Sequence, residues 1–550
     1  MTHRAGSLAA LATAALVAAA LLMLPLRMPI GPMYWDLVVY VDAAHRMSLG
    51  QVPNLDFFAP VGPLAYALYA ALGGAFAGGH PLLVAQWSAG LVTLPIMAGV
   101  LATMRGAPWM RWTLLGVFLA FALLPFNTRA FSAFPGAEGF GIYNRHGAEL
   151  LFVVAAVLLF ARGRWVLPLL IAAAMLAAFW LKVTAFVAAG MLCLAALLTG
   201  RVRLADAATA GGLFLAVLAL AELAAGLTSA YVGDLITLAA MNGEGLAARM
   251  VQAGSVWIGV LLPAGALLAL LAVSRRGRDD ALVWGAAALA AGLLYESQNT
   301  GSQGFIHLWP VAIAFAPGLS LAGWKARAAA LLAAASLLPP LVTTIASAVR
   351  AHGGQVRHVA IAAEAIGPLA RVTAKPQTLA RAQAMAAHYA VERPAYAALA
   401  GSGWLPGPDS YAEHDYQLLQ LMEAARAVEA VRSLEAERGI RFGSVMALNF
   451  VNPYAAALGR SAPRHVSVGA DPSRTVPAPD AATMDAVRAT DLVLRPICPV
   501  TSANQGLHRL YAAALGGHRR FRITRCTEAW THPRFGSLNA SALSGSPSRS

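Results

Sequence analysis

The sequence predicts an α-helical polytopic membrane protein of about eleven transmembrane helices, followed by a C-terminal soluble α/β domain. Three observations predict it. Of the 550 residues, 58% are hydrophobic and 12% charged, with mean hydropathy +0.62, whereas a soluble domain carries about 25% charged residues. Apolar runs near the ~20 residues needed to cross a bilayer recur through residue 349. Beyond residue 350, charges, prolines and histidines become frequent. The division is therefore 1–349 as a transmembrane domain, 350–540 as a soluble α/β domain, and 541–550, ending "SGSPSRS", as a disordered tail.

The first run, about residues 8–30, exceeds the 7–15 apolar residues of a signal peptide and is read as an uncleaved helix. Further spans are expected near 82–104, 112–126, 148–161, 165–181, 183–199, 207–227, 254–273, 281–296, 305–323 and 326–349. Residues 64–78, "LAYALYAALGGAFAG", are short for a span and contain adjacent glycines, so they are expected as an interfacial or re-entrant helix.

The net charge of +14 does not point to nucleic acid, because many arginines cluster between apolar runs rather than along one soluble face. Arg4, Arg105, Arg111, Arg162, Arg164, Arg201, Arg203, Arg275, Arg276, Arg278, Lys325 and Arg327 fall on one side, twelve in all. The opposite short loops hold five: Arg46, Arg129, Arg145, Lys182 and Arg249. Positive residues stay in the cytoplasm, so the N-terminus is expected there and, after eleven crossings, the C-terminal domain outside. Alanine excess and only three lysines suggest a GC-rich bacterial genome, hence a bacterial inner membrane and a periplasmic domain. Cys193 lies within a span as packing. Cys498 and Cys526 fall outside, where a disulfide is permitted; two free thiols are the alternative.

The first outer loop begins "YWDLVVYVDAAHRMSLG". If it is helical, Asp36, Tyr40 and Ala43-Ala44 share a face, and Gly50 and Pro53 end the helix. Asp42 then lies on the opposite face with Arg46 four residues on, expected as a surface ion pair. Asp36 has no local cation and sits at the helix start, where a cap or dipole partner is the simpler role. Asp56, in "VPNLDFFAPVGP", suits an Asx turn.

This loop resembles that of the GT-C glycosyltransferase superfamily, particularly members like protein O-mannosyltransferases and aminoarabinose transferases. Their first loop often reads Asp, Tyr four residues on, a small-residue helix, a Gly about fourteen residues on, and an apolar segment opened by proline. Here those positions are Asp36, Tyr40, Ala43-Ala44, Gly50, Pro53, Asp56, Pro60 and Pro63-Leu64. The chain departs from the commoner pattern at Leu37, where an acid is usual, and at Gly62, where a proline is. The resemblance implies a GT-C-like membrane domain and an inverting glycosyltransferase. Such an enzyme moves a sugar from a polyprenyl-phosphate donor to a periplasmic lipid, glycan or protein acceptor. Asp36 would be the base and Asp56 its support.

Other outer loops supply polar groups for that chemistry. "NTRAFSAFPGAEGFGIYNRHG" holds Arg129, Glu138, Asn144 and Arg145, and "FWLKVTAF" holds Lys182 between two apolar runs. Arg129, Arg145 and Lys182 are candidates for the donor phosphate, against headgroup contact or snorkelling. "YESQNTGSQGFIH" groups Glu296, Gln298, Asn299 and His307, whose density of donors and acceptors suits sugar hydroxyls. With Tyr40, Glu138 and Asn144 they form the expected sugar and acceptor set. There is no P-loop, HExxH or CxxC pair, so no cofactor is expected, with a divalent metal left open. A transporter or flippase for lipid-linked glycans is the alternative from another class, but it would place polar residues at span midpoints. A non-catalytic scaffold on the same fold is a third reading.

In the C-terminal part, residues 411–438 read as a helix, "GSVMALNF" and "TDLVLRPI" as strands, 504–516 as a helix and "RFRIT" as a final strand. "NFVNPYAAALGR" reads as a turn.

Overall fold

The computed structural model describes residues 2–129, 136–243, 245–274, 279–298, 303–318, 321–404 and 414–536. They form two compact units. One comprises Met1–Pro25, Val61–Ser229 and Gly243–Ala351; the other comprises Leu26–Pro60, Ala230–Asn242 and His352–Ser550. The loop after the first helix therefore folds with the C-terminal residues. Arg275, Arg276, Arg278, Asn299 and the tail 541–550 lie outside the described residues, as does part of the loop 127–147.

The first unit is helical, and among the described residues each of its apolar runs lies mostly on helix. Among the described residues five helices are long and apolar enough to cross a membrane. A sixth span arises if Leu246–Val256 and Ile258–Ser274, bent by 86°, are taken as one. Pro108–Leu123, Val166–Leu181, Val183–Leu198 and Leu308–Gly318 are apolar but shorter. Pro63–Ala75, at 13 residues, is also below bilayer-crossing length.

Burial sorts these helices. Ile142–Phe160 is buried along nearly its whole length, against Val166–Leu181 and Val183–Leu198. Leu204–Ala225 instead turns Leu204, Leu215, Leu220 and Leu223 outward. A bare apolar helix of this kind is stable only with lipid as its solvent. The chain is a membrane protein by this physical test as well as by composition.

Two expectations about the apolar runs and the loops between them change. The first helix is Thr2–Leu22 and stops short of residue 30, because the chain passes Pro25 and then pairs Met28–Pro29 into a sheet. Residues 228–253, which connect the expected spans 207–227 and 254–273, are mostly helical, as Leu227–Asn242 and Leu246–Val256. The apolar surface that makes these segments helical is shared out over half-exposed faces, so no long hydrophobic run marks them.

Among the described residues the second unit has two sheets. Val372–Ala374 lies between Met28–Pro29, in parallel, and Val359–Ala360, antiparallel. The larger sheet has the order Val445–Ala447, Leu492–Pro496, Thr527–Thr531, Arg519–Thr524. Leu492–Pro496 and Thr527–Thr531 are buried throughout, as central strands should be. Ser502–Leu515 packs Leu507, Tyr511 and Leu515 with Val493 and Trp530 of the sheet. Thr527–Thr531 follows "RFRIT", which is therefore not the last strand. Its polar Thr-Glu start hides it from a hydrophobic pattern. Pro453–Leu458, expected as a turn, is a short helix opened by its proline. Cys498 and Cys526 are joined as a disulfide.

Candidate active site

Each unit carries part of the expected constellation. In the second unit, Asp36 is the first residue of the helix Asp36–Ser48. The helix ends as expected, with Gly50 at φ +82° receiving the chain in the left-handed region. Its start is anchored through Trp35. The Trp35 N–H donates to Gln417 Oε1 at 3.0 Å, and the indole meets the Tyr416 ring edge-on at 5.4 Å. Asp36 is half-buried and Tyr40, one turn on, is buried. A carboxylate in a first helical turn is favoured in its ionised form by the helix dipole.

Asp56 is tied into its own loop. Oδ2 accepts from the Val52 N–H at 2.7 Å, Oδ1 accepts from Arg464 at 3.0 Å, and the Asp56 carbonyl accepts from the His465 N–H at 2.6 Å. These bonds fix the segment after the Asp36 helix. The side chain reaches back to an N–H four residues earlier rather than forward two residues, so it closes the 52–56 loop and is not the expected Asx turn.

Asp42 and Arg46 correct the sequence reading. They pair as expected, Nε to Oδ1 at 3.2 Å, but on a buried face, with Asp42 3% and Arg46 1% exposed. Arg46 also donates to the carbonyls of Pro463 at 2.9 Å and Val466 at 3.3 Å, and lies over the Phe57 ring. The helical spacing is the same for a surface pair and a buried one. What the spacing lacks is any sign that residues 463–466 cover this face.

In the first unit, Lys182 is the hinge residue between Val166–Leu181 and Val183–Leu198. Its ammonium donates to Asn144 Oδ1 and lies 5.2 Å from the Tyr143 ring and 4.8 Å from the Tyr295 ring. The Tyr295 hydroxyl donates to the Asn144 carbonyl at 2.6 Å. Two aromatic faces thus hold a cation at the end of two apolar helices. Tyr143 and Tyr295 were missed in the sequence, although each adjoins a residue singled out there.

Gly147 makes this arrangement possible, because any Cβ there would overlap the Tyr295 hydroxyl. Gly147→Val is expected to cost about 1–3 kcal/mol through overpacking and to detach Tyr295 from Asn144. Thermal unfolding of the detergent-purified variant measures it; an unchanged midpoint would mean the contact is loose.

The remaining candidates are placed as follows. Arg145 is fully buried, donating to the carbonyls of Phe121 at 2.6 Å, Phe126 at 3.0 Å and also Leu124. It therefore caps the end of Pro108–Leu123. Arg129 is exposed and donates to the Val256 carbonyl at 3.2 Å. Glu138 accepts from Asn127 at 2.7 Å, and burial pushes its carboxyl up to about 8, against the pull of Asn127 and Arg145. Glu296 accepts from the Trp257 indole N–H at 2.9 Å. The Gln298 amide donates to Ser297 Oγ at 3.1 Å. His307 is buried, with Nε2–H donating to the Ala288 carbonyl at 2.8 Å. Asn299 lies outside the described residues. No group of three or more His, Cys, Asp or Glu side chains placed to hold a metal ion occurs among the described residues.

No family model matches the chain, and no curated protein matches it. Among solved structures it is similar to ArnT from Cupriavidus metallidurans in the apo state, at 12% identity over 94% of this chain and 97% of that one, TM-score 0.40. The same protein bound to undecaprenyl phosphate aligns at 14% identity over the same shares, TM-score 0.42. The Archaeoglobus fulgidus oligosaccharyltransferase in complex with zinc and sulfate aligns at 13% identity over 96% of this chain and 74% of that one, TM-score 0.26. ArnT, an aminoarabinose transferase, and the oligosaccharyltransferase are both GT-C superfamily members.

Proposed function

We propose that the chain is an inverting glycosyltransferase of the bacterial inner membrane, using a polyprenyl-phosphate sugar and a periplasmic lipid, glycan or protein acceptor. The observation that carries this reading is Asp36. It is a half-buried carboxylate heading a helix in the first loop after the first apolar helix, with Tyr40 one turn on. In the proposed step the acceptor hydroxyl attacks the anomeric carbon and Asp36 takes its proton. The bond from that carbon to the phosphate oxygen breaks, and polyprenyl phosphate leaves. Asp56 holds the loop behind the helix.

A departing phosphate needs positive charge. Lys182 is the best suited of the three cations, because its ammonium has donors beyond the Asn144 bond. The Arg145 donors face the carbonyls of Phe121, Leu124 and Phe126, and its Nε lies 3.5 Å from the Glu149 carboxylate, so that residue is assigned to holding its own helix against the end of Pro108–Leu123. Arg129 and the polar groups Glu138, Asn144, Glu296, Gln298, Asn299 and His307 are proposed around donor sugar and acceptor. The reading needs no cofactor.

Purified protein incubated with polyprenyl-phosphate sugars and membrane acceptors should release polyprenyl phosphate. Lys182→Met should weaken donor use about tenfold, the scale of one charge-assisted hydrogen bond. Failure of the wild-type chain to release polyprenyl phosphate from a panel of donor sugars would overturn the reading.

The orientation proposed is N-terminus cytoplasmic and residues 350–540 periplasmic. The arginine and lysine asymmetry, twelve to six once Arg27 is counted beyond the end of the first helix, supports it, and the Cys498–Cys526 disulfide suits an oxidising compartment. Alkaline phosphatase fused after residue 349 should be active; an inactive fusion reverses the topology.

A further inference from the structure

The larger sheet of the second unit carries more positive charge on one face than its carboxylate requires. Arg495, Glu528 and Arg522 stand opposite one another across three neighbouring strands, and Val493, Trp530 and Arg520 form the next row on that face. Glu528 accepts from Arg495 at 2.8 Å and from Arg520 at 2.5 Å, and Arg393, at the start of Arg393–Ser402, approaches it at 3.6 Å. The guanidiniums of Arg495 and Arg520 lie 5.5 and 5.4 Å from the Trp530 ring centroid. Arg522 is exposed and has no ion pair among the described residues. Three guanidiniums thus meet one carboxylate, and a fourth, that of Arg522, belongs to the residue opposite it on the neighbouring strand.

A structural tie for Glu528 would need only Arg495, its buried cross-strand partner. The extra arginines repel one another, and their effect is felt nearby. His508, 5.2 Å from Trp530, is held below its ordinary value by burial and then by Arg495 and Arg520. Arg495 Nε is buried without an acceptor. The Arg520 side chain remains 54% exposed and that of Arg393 31%, so the cluster is open to solvent. Each arginine offers five N–H donors and a carboxylate accepts about four, so most of these donors are uncommitted.

We propose that Arg393, Arg520 and Arg522, braced by Arg495 and Glu528, form a binding site for a phosphate group. A phosphate accepts from several guanidinium forks at once, which a single planar carboxylate in the row cannot match. Glu528 sets the angle of two forks, and Trp530 backs them. The ligand is a phosphate ester or free phosphate, carried by a soluble molecule or by a lipid headgroup. This site is independent of the glycosyl-transfer reading.

The test uses the full chain in neutral detergent at low salt. Inorganic phosphate and short-chain phosphatidic acid are titrated calorimetrically, with chloride at matched ionic strength as control. Binding of inorganic phosphate supports the site and a soluble source; binding of phosphatidic acid alone supports it with a headgroup source. In either case Arg520→Gln with Arg522→Gln should weaken binding at least about tenfold, and the two lysine substitutions should restore much of it. Both positions are exposed, and an unchanged thermal midpoint verifies that the fold is kept. No binding of either probe, or equal binding by the glutamine variant, overturns the proposal.

Discussion

Asp36→Asn is expected to lower sugar transfer by about 10²–10⁴-fold, the range for loss of a general base, while leaving the amount of folded protein unchanged. Asparagine keeps the side-chain shape, and the helix start is held by Trp35 against Gln417 and Tyr416 rather than by the carboxylate. Asp56→Asn should reduce transfer less, because it loosens a loop instead of removing the proton acceptor. Its ion pair with Arg464, whose side chain is 58% exposed, adds little stability. The measurement is single-turnover transfer by equal amounts of the three proteins. Near-normal transfer by Asp36→Asn would move the base elsewhere, though not to Asp42, which is sealed against Arg46.

Asp42→Asn is expected to destabilise the second unit by about 3–5 kcal/mol, the cost of leaving a buried charge unpaired. Its partner cannot discharge itself, because a guanidinium stays protonated in proteins. Arg46→Met should be milder at low pH, since Asp42 can take up a proton. Burial already pushes the Asp42 carboxyl up, and Arg46 pulls it back only in part. With Arg46 gone, the folded-state value rises further above the unfolded one. Stability is then present below the unfolded value and lost as pH rises through the folded one. Thermal midpoints of Arg46→Met should therefore fall from acid to neutral pH more steeply than those of the parent. Parallel curves would show that the pair is solvated after all.

How far the sequence could be read depended on whether a feature was local. The Asp36–Ser48 helix was legible because its face, its start and its glycine stop lie within fifteen or so residues of text. The apolar helices were legible for the same reason. Asp42 and Arg46 were placed correctly along the helix but on the wrong side of the solvent boundary, since the carbonyls of Pro463 and Val466 that cover them come from far along the chain. Met28–Pro29 was absorbed into a helix because apolarity does not distinguish a buried strand from a span. The tyrosine pair around Lys182 was invisible because Tyr143 and Tyr295 meet only through the packing of separate helices.

The pairing of Met28–Pro29 with Val372–Thr373 has a consequence for synthesis. The loop bearing Asp36 emerges from the ribosome early, yet the Thr373 hydroxyl that bonds the Met28 carbonyl comes 345 residues later. Until then neither the short sheet nor the Arg46 clamp can close, so the loop must wait as an unfinished segment while the intervening helices insert. Residues 352–550 made alone would lack one edge of that sheet and the guanidinium that fills the space beneath residues 463–466. Co-expressed as two pieces, residues 1–60 and the remainder should recover the fold only by finding each other after translation.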